Sequence, residues 1–228
     1  MKRFSFFVVC MLMATVLKAA QQQKKVAIDR PAEPNMVFDD DGGKVQIVPA
    51  DLSTFAAKKF HGGAVMASVQ QVSIFLGSGW GDNSVRGRQT TLQDLAGSGA
   101  DAQAAEMKGH NVKVLRASAA INDFGRLSRP LNDLDIQRKL NDMLQMKAIP
   151  APVASTVYVV FLGPGTVSTL GESRAGIDYA AYHNVVNLAA GEVRYVVVPF
   201  NQDMQRHRSA AARAFAETAL NPNGRGWF

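Results

Sequence analysis

The chain has 228 residues, 47% of them hydrophobic and 19% charged, a balance typical of one globular domain and not of a disordered chain. Its net charge of +6 falls to about +3 without an N-terminal leader, because Lys2, Arg3 and Lys18 leave 22 basic residues against 19 acidic ones. So mild a charge gives no reason to expect a nucleic-acid partner. Cys10 is the only cysteine, so the mature chain must rely on its core and not on disulfides.

Residues 1–20 have the anatomy of a secretory signal peptide. Met1-Lys2-Arg3 is basic, Phe4 to Leu17 is almost continuously apolar, and Ala19-Ala20 offers small residues for cleavage. The apolar run is shorter than the roughly 20 residues that a membrane span needs. Lys18 suits a cleavage site poorly, so an uncleaved N-terminal anchor is the alternative. We predict an exported protein, secreted, extracellular or periplasmic, with no stable transmembrane span after cleavage.

The remaining chain alternates strand and helix patterns. Residues 21–43 are polar and predict a flexible N-terminal segment. The periodicities then predict a strand at Lys44–Val48, a strand at Val69–Leu76, helices at Thr90–Leu95 and Ala100–Lys108, a short strand at Val112–Leu115, a helix at Asp133–Met146 capped by Asn132 or Asp133, strands at Val157–Leu162 and Val193–Phe200, and a helix at Ser209–Leu220. This alternation predicts a single α/β domain over residues 44–228, with a mixed β-sheet and flanking helices.

Several stretches resemble the motifs of one family, in the same order along the chain. They are Phe60–Val65, Asp135–Gln137 with Ala148–Pro150, Val157–Val167, Ala181–His183, Tyr195–Pro199, and the final helix with Asn221-Pro222 and Gly226-Trp227. Over roughly residues 55 to 228 the chain resembles the phosphate-induced, EXORDIUM-like group of plant secreted proteins and its bacterial secreted relatives. The resemblance implies a secreted protein, tied in plants to cell-wall growth responses. In the bacterial relatives it implies a zincin-like helix containing Ser-His-Glu-Leu-Ala-Glu-Ala.

This chain departs from that helix at the positions that would carry its chemistry. Arg213 takes the place of the His ligand, and a guanidinium cannot give up its proton to bind a cation. Ala214 takes the place of the first Glu, the general base, and Glu217 alone matches. The resemblance therefore implies a degenerate metalloprotease motif. We expect no metal and no other cofactor, and we favour a non-catalytic protein, with Glu217 as the remnant of a site.

Arg213 and Glu217 lie four residues apart, so we expect them to share one helix face and to approach each other. The guanidinium can supply the positive charge that the carboxylate would otherwise take from a metal. If the pair is exposed it is worth only about 0.3–0.5 kcal/mol. If it is buried, removal of Arg213 alone should destabilise the protein considerably more, because an unpaired carboxylate stays behind.

The other binding candidates are His61, Trp80 and His183. Both histidines lie in family motifs and could line a cleft, although for His61 we favour a turn hydrogen bond beside Gly62-Gly63. Trp80 lies in a glycine-rich loop and is the best exposed candidate for stacking on a sugar. Aromatics at strand positions are more often part of the core; these are Tyr158, Tyr182 and Tyr195.

Two further patterns have a structural explanation. The basic patch Arg206, His207, Arg208 and Arg213 could touch an anionic polysaccharide or lipid surface, but a solvated helix start is the preferred interpretation. The glycine-rich loops at 77–81 and 163–165 lack the Gly-Lys-Ser/Thr ending of a phosphate loop, and we predict turns with positive φ there.

The sequence thus predicts a secreted or envelope protein that acts as a non-catalytic binding or structural module. The expected partner is a cell-wall or envelope polysaccharide or protein. The alternative is a secreted hydrolase with a non-standard site around His61, His183 and Glu217.

Overall fold

The computed structural model describes residues 36–38, 44–53, 60–96, 102–123, 125–127, 130–223 and 226. The predicted signal peptide at 1–20, residues 21–35 and 39–43 of the N-terminal segment, and Trp227 lie outside this part of the chain. Within it, the protein is a single α/β domain in which a mixed sheet is flanked by four helices, the last of them C-terminal. The predicted fold class is confirmed.

In the described part of the chain the strands are β1 (Met36–Phe38), β2 (Lys44–Pro49), β3 (Ser68–Leu76), β4 (Lys113–Val114), β5 (Ile121–Asp123), β6 (Thr156–Leu162), β7 (Thr169–Leu170), β8 (Ser173–Arg174), β9 (Tyr179–Leu188) and β10 (Gly191–Val198). The helices are α1 (Asn83–Leu92), α2 (Ala102–Gly109), α3 (Asp133–Gln145) and α4 (Met204–Leu220). A short 3-10 turn, Ser78–Gly81, follows β3.

The main sheet combines a parallel and an antiparallel half. Over the described residues its order is β1-β2-β9-β10-β6-β3-β4, with β5 pairing alongside β4 on the same side of β3. Strands β10, β6, β3, β4 and β5 are parallel, whereas β9 is antiparallel to both β10 and β2. Strand β6 lies inside the parallel half and is buried along its whole length. This double burial explains why its sequence is a continuous apolar run.

One apolar core lies on each face of the sheet, between the sheet and the helices that cover it. Helices α1, α2 and α4 pack on one face, against side chains such as Phe75, Phe161 and Val196. Of the described helices, α3 alone packs on the opposite face, where Ile136, Leu140 and Met143 form the predicted amphipathic stripe. The described domain is therefore a three-layer sandwich. Helix α4, which carries the family-like motif, lies on the face that three helices cover.

The structure corrects several predicted boundaries. Helix α1 starts at Asn83, not at Thr90, because the carboxylate of Asp82 accepts the Ser84 N–H and caps it. Helix α4 starts at Met204, not at Ser209, because Asp203 caps it in the same way. For α3, the predicted start is confirmed, and Asn132 is the cap.

Five of the described strands were not predicted, namely β1, β5, β7, β8 and β9. Strands β5, β7 and β8 have only two or three residues each, too few to show a periodicity. Strand β9 carries polar Asn184 and Asn187 among its apolar residues, so it lacks the unbroken apolar run that marks β6. Strand β1 lies within residues 21–43, so the sheet begins at Met36 and not at Lys44. Both belong to the antiparallel half, where pairing with neighbouring strands supplies what local sequence does not.

Helix α4 is buried on every side along most of its length. Each residue from Ala210 to Leu220 is buried. Sheet strands lie on one side of the helix, and α1 and α2 lie against it from others. Its alanines make this close approach feasible, since they present little bulk and are also the best helix formers. The helix is therefore a core element and not an amphipathic surface helix.

The segment after α4 is fastened to the helix and to β2. The Asn221 Nδ2 donates to Gln46 Oε1 at 2.8 Å, and Asn221 Oδ1 accepts the Gly226 N–H at 2.5 Å. The Gly226 carbonyl in turn accepts the His61 backbone N–H at 2.9 Å. Residues of two family-like motifs, at 60–65 and 221–226, thus meet through backbone and amide hydrogen bonds, which we call the C-terminal clamp.

We predict that Gly226→Ala destabilises the domain by about 1–3 kcal/mol, because the new Cβ would meet the backbone carbonyls of Leu220 and Ala64. The matched control is Gly87→Ala in α1, where a Cβ meets nothing and helix propensity improves by about 0.5–1 kcal/mol. Urea unfolding of both variants measures the two changes. Equal effects of the two substitutions would show that position 226 is not sterically restricted.

Candidate functional site

The Arg213 and Glu217 side chains form a buried ion pair on α4. The Arg213 Nε donates to Glu217 Oε1 at 2.8 Å, and the two side chains are only 8% and 5% exposed. The predicted approach of these two residues is confirmed, and of the two environments considered the buried one is correct. A buried pair is held by hydrogen bonds in a medium of low dielectric, so loss of either partner leaves a costly unpaired charge.

These residues do not fit the zinc ion that the resemblance associates with this helix. The position of the His ligand carries a guanidinium that has no lone pair for a metal. That guanidinium already donates to Glu217, the carboxylate that would serve as a ligand. Among the described residues, no group of three or more His, Cys, Asp and Glu side chains could hold a metal ion.

His183 lies beneath the C-terminal half of α4. It sits on β9 opposite Gln46 of β2 and is buried. Alternation along the strand puts it on the same sheet face as Ala181, which packs in the α4 core. Gln46 also accepts from Asn221, so His183 neighbours the C-terminal clamp.

His61 contributes to the clamp through its backbone. Its N–H donates to the Gly226 carbonyl at 2.9 Å, and its side chain is exposed. The next residue, Gly62, has φ of 84°, a conformation that favours glycine. The motif at 60–65 therefore shapes a turn that receives the segment after α4.

Trp80 is not the exposed stacking residue that its glycine-rich surroundings suggested. The 3-10 turn directs it into the core, where it is fully buried and its Nε1 donates to the Phe161 carbonyl at 2.9 Å. Its ring packs edge-on against Phe75 and Phe200, with centroids at 5.0 and 5.8 Å. The indole N–H finds a partner as buried tryptophans usually do, so Trp80 is removed from the sugar-binding candidates.

The glycine-rich loops close the sheet edge at which open α/β sheets often bind ligands. The Gly163 N–H donates to the Leu76 carbonyl at 2.8 Å, which ties the end of β6 to the end of β3. A Cβ on Gly79 would lie 2.6 Å from the Pro164 oxygen, so the two loops are in direct contact. Gly77 and Gly165 have φ of 108° and 78°, as turns with positive φ require.

The predicted solvated basic patch is wrong for two of its four members. Arg213 is buried in its ion pair, and His207 is buried among aromatic rings. His207 stacks on Trp80 with ring centroids 6.3 Å apart and meets Phe200 edge-on at 5.6 Å. Arg206 is exposed, and Arg208 Nη2 donates to the Leu95 carbonyl at 3.3 Å. The start of α4 is therefore partly buried in the core and partly exposed to solvent.

His207 lies in a strongly apolar box. Within the described residues, neither ring nitrogen of His207 has a hydrogen-bond partner. Burial lowers its pKa to about 4, and the charge of Arg88, which lies over the Phe200 ring at 5.0 Å, adds to the effect. The imidazole is therefore neutral at physiological pH.

A second polar centre, which sequence analysis did not find, lies on the opposite sheet face. Asp133 is fully buried at the start of α3 and accepts hydrogen bonds from Tyr195 Oη at 2.8 Å, Asn184 Nδ2 at 2.9 Å and Gln137 Nε2 at 2.8 Å. Burial, reinforced by the Asp133 charge, raises the pKa of Tyr195 well above its usual value, so the phenol stays a donor. Tyr195, Tyr182 and Tyr158 are buried, as predicted for strand aromatics.

A cleft of about 400 Å³ opens beside the first half of α4. Gln205, Ser209 and Arg213 recur every four residues along the helix and line one side of it. The other described lining residues are Asp203 and Arg206, at the start of the same helix, and Leu52 and Gln103, from distant parts of the chain. Arg213 therefore connects the buried ion pair to a solvent-accessible space.

Comparisons of the chain with protein-family models, with curated proteins and with solved structures find no match. The resemblance to the EXORDIUM-like family therefore depends on the motifs alone. Within the described residues, no helix is long and apolar enough to cross a membrane. Function has to be argued from the geometry around α4.

We expect Arg213→Ala to destabilise the protein by about 3–5 kcal/mol, because Glu217 would remain buried without its cation. The double variant Arg213→Ala, Glu217→Ala should lose much less than the sum of the two single changes. A double-mutant cycle in denaturant unfolding measures this coupling. The control Arg206→Ala, on the same helix but with a side chain 71% exposed, should change stability by less than about 0.5 kcal/mol. Additivity of the two buried substitutions would show that they do not form a functional pair.

A further prediction concerns acid stability. The pKa of His207 is lower in the folded state, about 4, than in the unfolded chain, about 6.5, so unfolding takes up a proton between these values. The contribution of His207 to the free energy of unfolding is therefore fully present above pH 6.5 and declines by about 3 kcal/mol as the pH falls to 4. His207→Phe should flatten this part of the curve, measured by thermal unfolding at several pH values. His61→Gln, at an exposed position, controls for loss of a histidine. An unchanged decline in His207→Phe would exclude His207 as its cause.

Proposed function

We propose that the protein is an exported, non-catalytic binding or structural module derived from a metalloprotease-like family. The observation that carries the proposal is the buried Arg213–Glu217 ion pair at the helix positions where the bacterial relatives are expected to hold a cation. A permanently charged guanidinium replaces an exchangeable metal ion. The helix keeps its place in the core without keeping a reactive centre.

The rest of α4 supports a structural role for the motif. Alanine at position 214 leaves no carboxylate where a general base would stand, and this residue is fully buried. The Asn221 and Gly226 positions, which match the family frame, serve the C-terminal clamp. The features shared with the family are thus accounted for by packing and hydrogen bonding.

The binding role is assigned to the cleft beside α4. Within the described residues, its lining combines charged, amide and hydroxyl side chains with one apolar residue, Leu52. Polar clefts of this size suit small polar groups or one unit of a chain molecule. We propose a cell-wall or envelope polysaccharide, or a protein of that compartment, as the partner.

The alternative function is a hydrolase that uses His61, His183 and Glu217. Less supports it, because Glu217 accepts from Arg213 and His183 is buried between strands and helix. A nucleophile or general base needs access to a substrate. Glu217 and His183 are both buried, and neither is among the described residues that line the cleft.

The test uses protein isolated from the exported fraction of its native host. N-terminal sequencing should place the first residue near position 21, metal analysis should find less than stoichiometric zinc, and peptide, ester and glycan panels should show no turnover. Full-length chain confined to the cytoplasm would contradict export. Stoichiometric zinc that is lost in Glu217→Gln, or turnover that this variant abolishes, would contradict the non-catalytic role.

A further inference from the structure

We propose that the cleft lined by Arg206, Ser209 and Arg213 binds a carboxylate-bearing polyol, that is, an acidic sugar unit. This inference rests on the proposed function as a binding module and specifies the class of ligand. The cleft has a volume of about 400 Å³, within the range of small-ligand sites and large enough for one such unit with its water.

The charges of the cleft favour an anion of low charge. Among the described lining residues, two guanidinium groups, from Arg206 and Arg213, accompany one carboxylate, from Asp203. Planar guanidinium groups match carboxylates in geometry and form their strongest hydrogen bonds with them. The Asp203 carboxylate is already engaged, since its Oδ1 accepts the N–H groups of Gln205 and Arg206 at 2.9 and 3.1 Å. Glu217, which is not among the described lining residues, pairs with Arg213 in turn. The described lining therefore offers a ligand the guanidinium N–H groups of two arginines, each of which already has one acidic partner.

The neutral side chains favour a ligand that carries hydroxyl groups. Ser209 offers a hydroxyl, and Gln205 and Gln103 offer amides that both donate and accept. Gln205 and Ser209 lie one helical turn apart on the same face as Arg213. A ligand lying along α4 would meet, in order, an amide, a hydroxyl and a guanidinium. An acidic sugar carries complementary groups, whereas an inorganic anion would leave the amide and hydroxyl positions unused.

The two arginines have different roles in the cleft. Arg213 is almost completely buried and held by its bond to Glu217, so it provides a fixed charge at low entropic cost. Arg206 is 71% exposed and lies 3.8 Å from the Asp203 carboxylate, a loose surface pair. A ligand carboxylate can therefore recruit Arg206 by exchanging one exposed pair for another.

A second cleft, beside α3, provides a contrast. Its described lining carries three basic side chains, from Arg126, Arg138 and Lys139, and two carboxylates, from Asp135 and Asp142. The other described lining residues are leucines and one isoleucine, and none of them offers a hydroxyl or an amide side chain. A ligand that carries hydroxyl groups therefore gains less there, although basic side chains are present.

The experiment is isothermal titration of the mature protein with sodium galacturonate, with galactose as the neutral sugar of the same ring and with glutamate as an acid without hydroxyls. We expect galacturonate to bind more tightly than either, and its affinity to fall with added salt. Equal binding of galactose would overturn the role of charge. Equal binding of glutamate would overturn the role of the hydroxyl groups.

Two variants locate the site. Arg206→Gln should weaken galacturonate binding about tenfold, because a charge-assisted hydrogen bond becomes a neutral one. Ser209→Phe should abolish binding by filling the cleft at an exposed helix position. The matched control is Arg138→Gln, since Arg138 is 66% exposed and also lies 3.8 Å from an aspartate three residues away. Unchanged affinity in Arg206→Gln, or loss of affinity in Arg138→Gln, would overturn the assignment.

Failure of this inference is distinct from failure of the proposed function. Absence of galacturonate binding in protein that also lacks zinc and turnover removes the ligand class but leaves the non-catalytic module in place. Zinc-dependent turnover removes the proposed function whatever the titration shows. Galacturonate binding that Ser209→Phe abolishes, without turnover, supports both.

Discussion

A pair of opposite charges inside a helix that is buried on every side is the constraint on which the structure depends. Helix α4 fills the space between the sheet and helices α1 and α2, and its alanines allow neighbours to approach closely. Arg213 and Glu217 are the charged residues of its fully buried stretch, Ala210–Leu220. They neutralise each other four residues apart, so the helix can lie in the core without an external counter-ion. The other features of this face follow from keeping that helix in place: the C-terminal clamp holds its end, and Asp203 caps its start.

Polar groups occupy the interior on both sides of the sheet, but they differ in access. The Asp133 centre is satisfied by Tyr195, Asn184 and Gln137 and fixes the start of α3 against β9 and β10. Its role is to specify one packing arrangement of the α3 layer. The Arg213–Glu217 centre lies beside a cleft. The same buried polarity therefore serves structure on one face and contributes to a surface site on the other.

Patterns among neighbouring residues in the sequence predicted the elements whose structure depends mainly on those neighbours. The apolar run of β6, the amphipathic stripe of α3 and the four-residue spacing of Arg213 and Glu217 each depend on neighbours in sequence. Trp80 was mispredicted because two of the rings that bury it, Phe200 and His207, lie more than a hundred residues further along the chain. The cleft could not be predicted for the same reason, since Leu52, Gln103 and Ser209 meet only after the sheet has formed. Strand β9 depends on pairing with two partners that its own sequence does not specify.

The position of α4 in the chain has a consequence for biogenesis. Every described strand of the sheet precedes α4, so on a ribosome the strands emerge before the helix that covers one of their faces. Until α4 emerges, side chains such as Val48, Val159 and Val196 lack the partner against which they are buried. Folding of the domain must therefore wait for this late segment, since a sheet with one uncovered apolar face lacks much of its stabilisation. A nascent chain that stays unfolded through most of its synthesis can still pass as an extended chain through a narrow translocation pore.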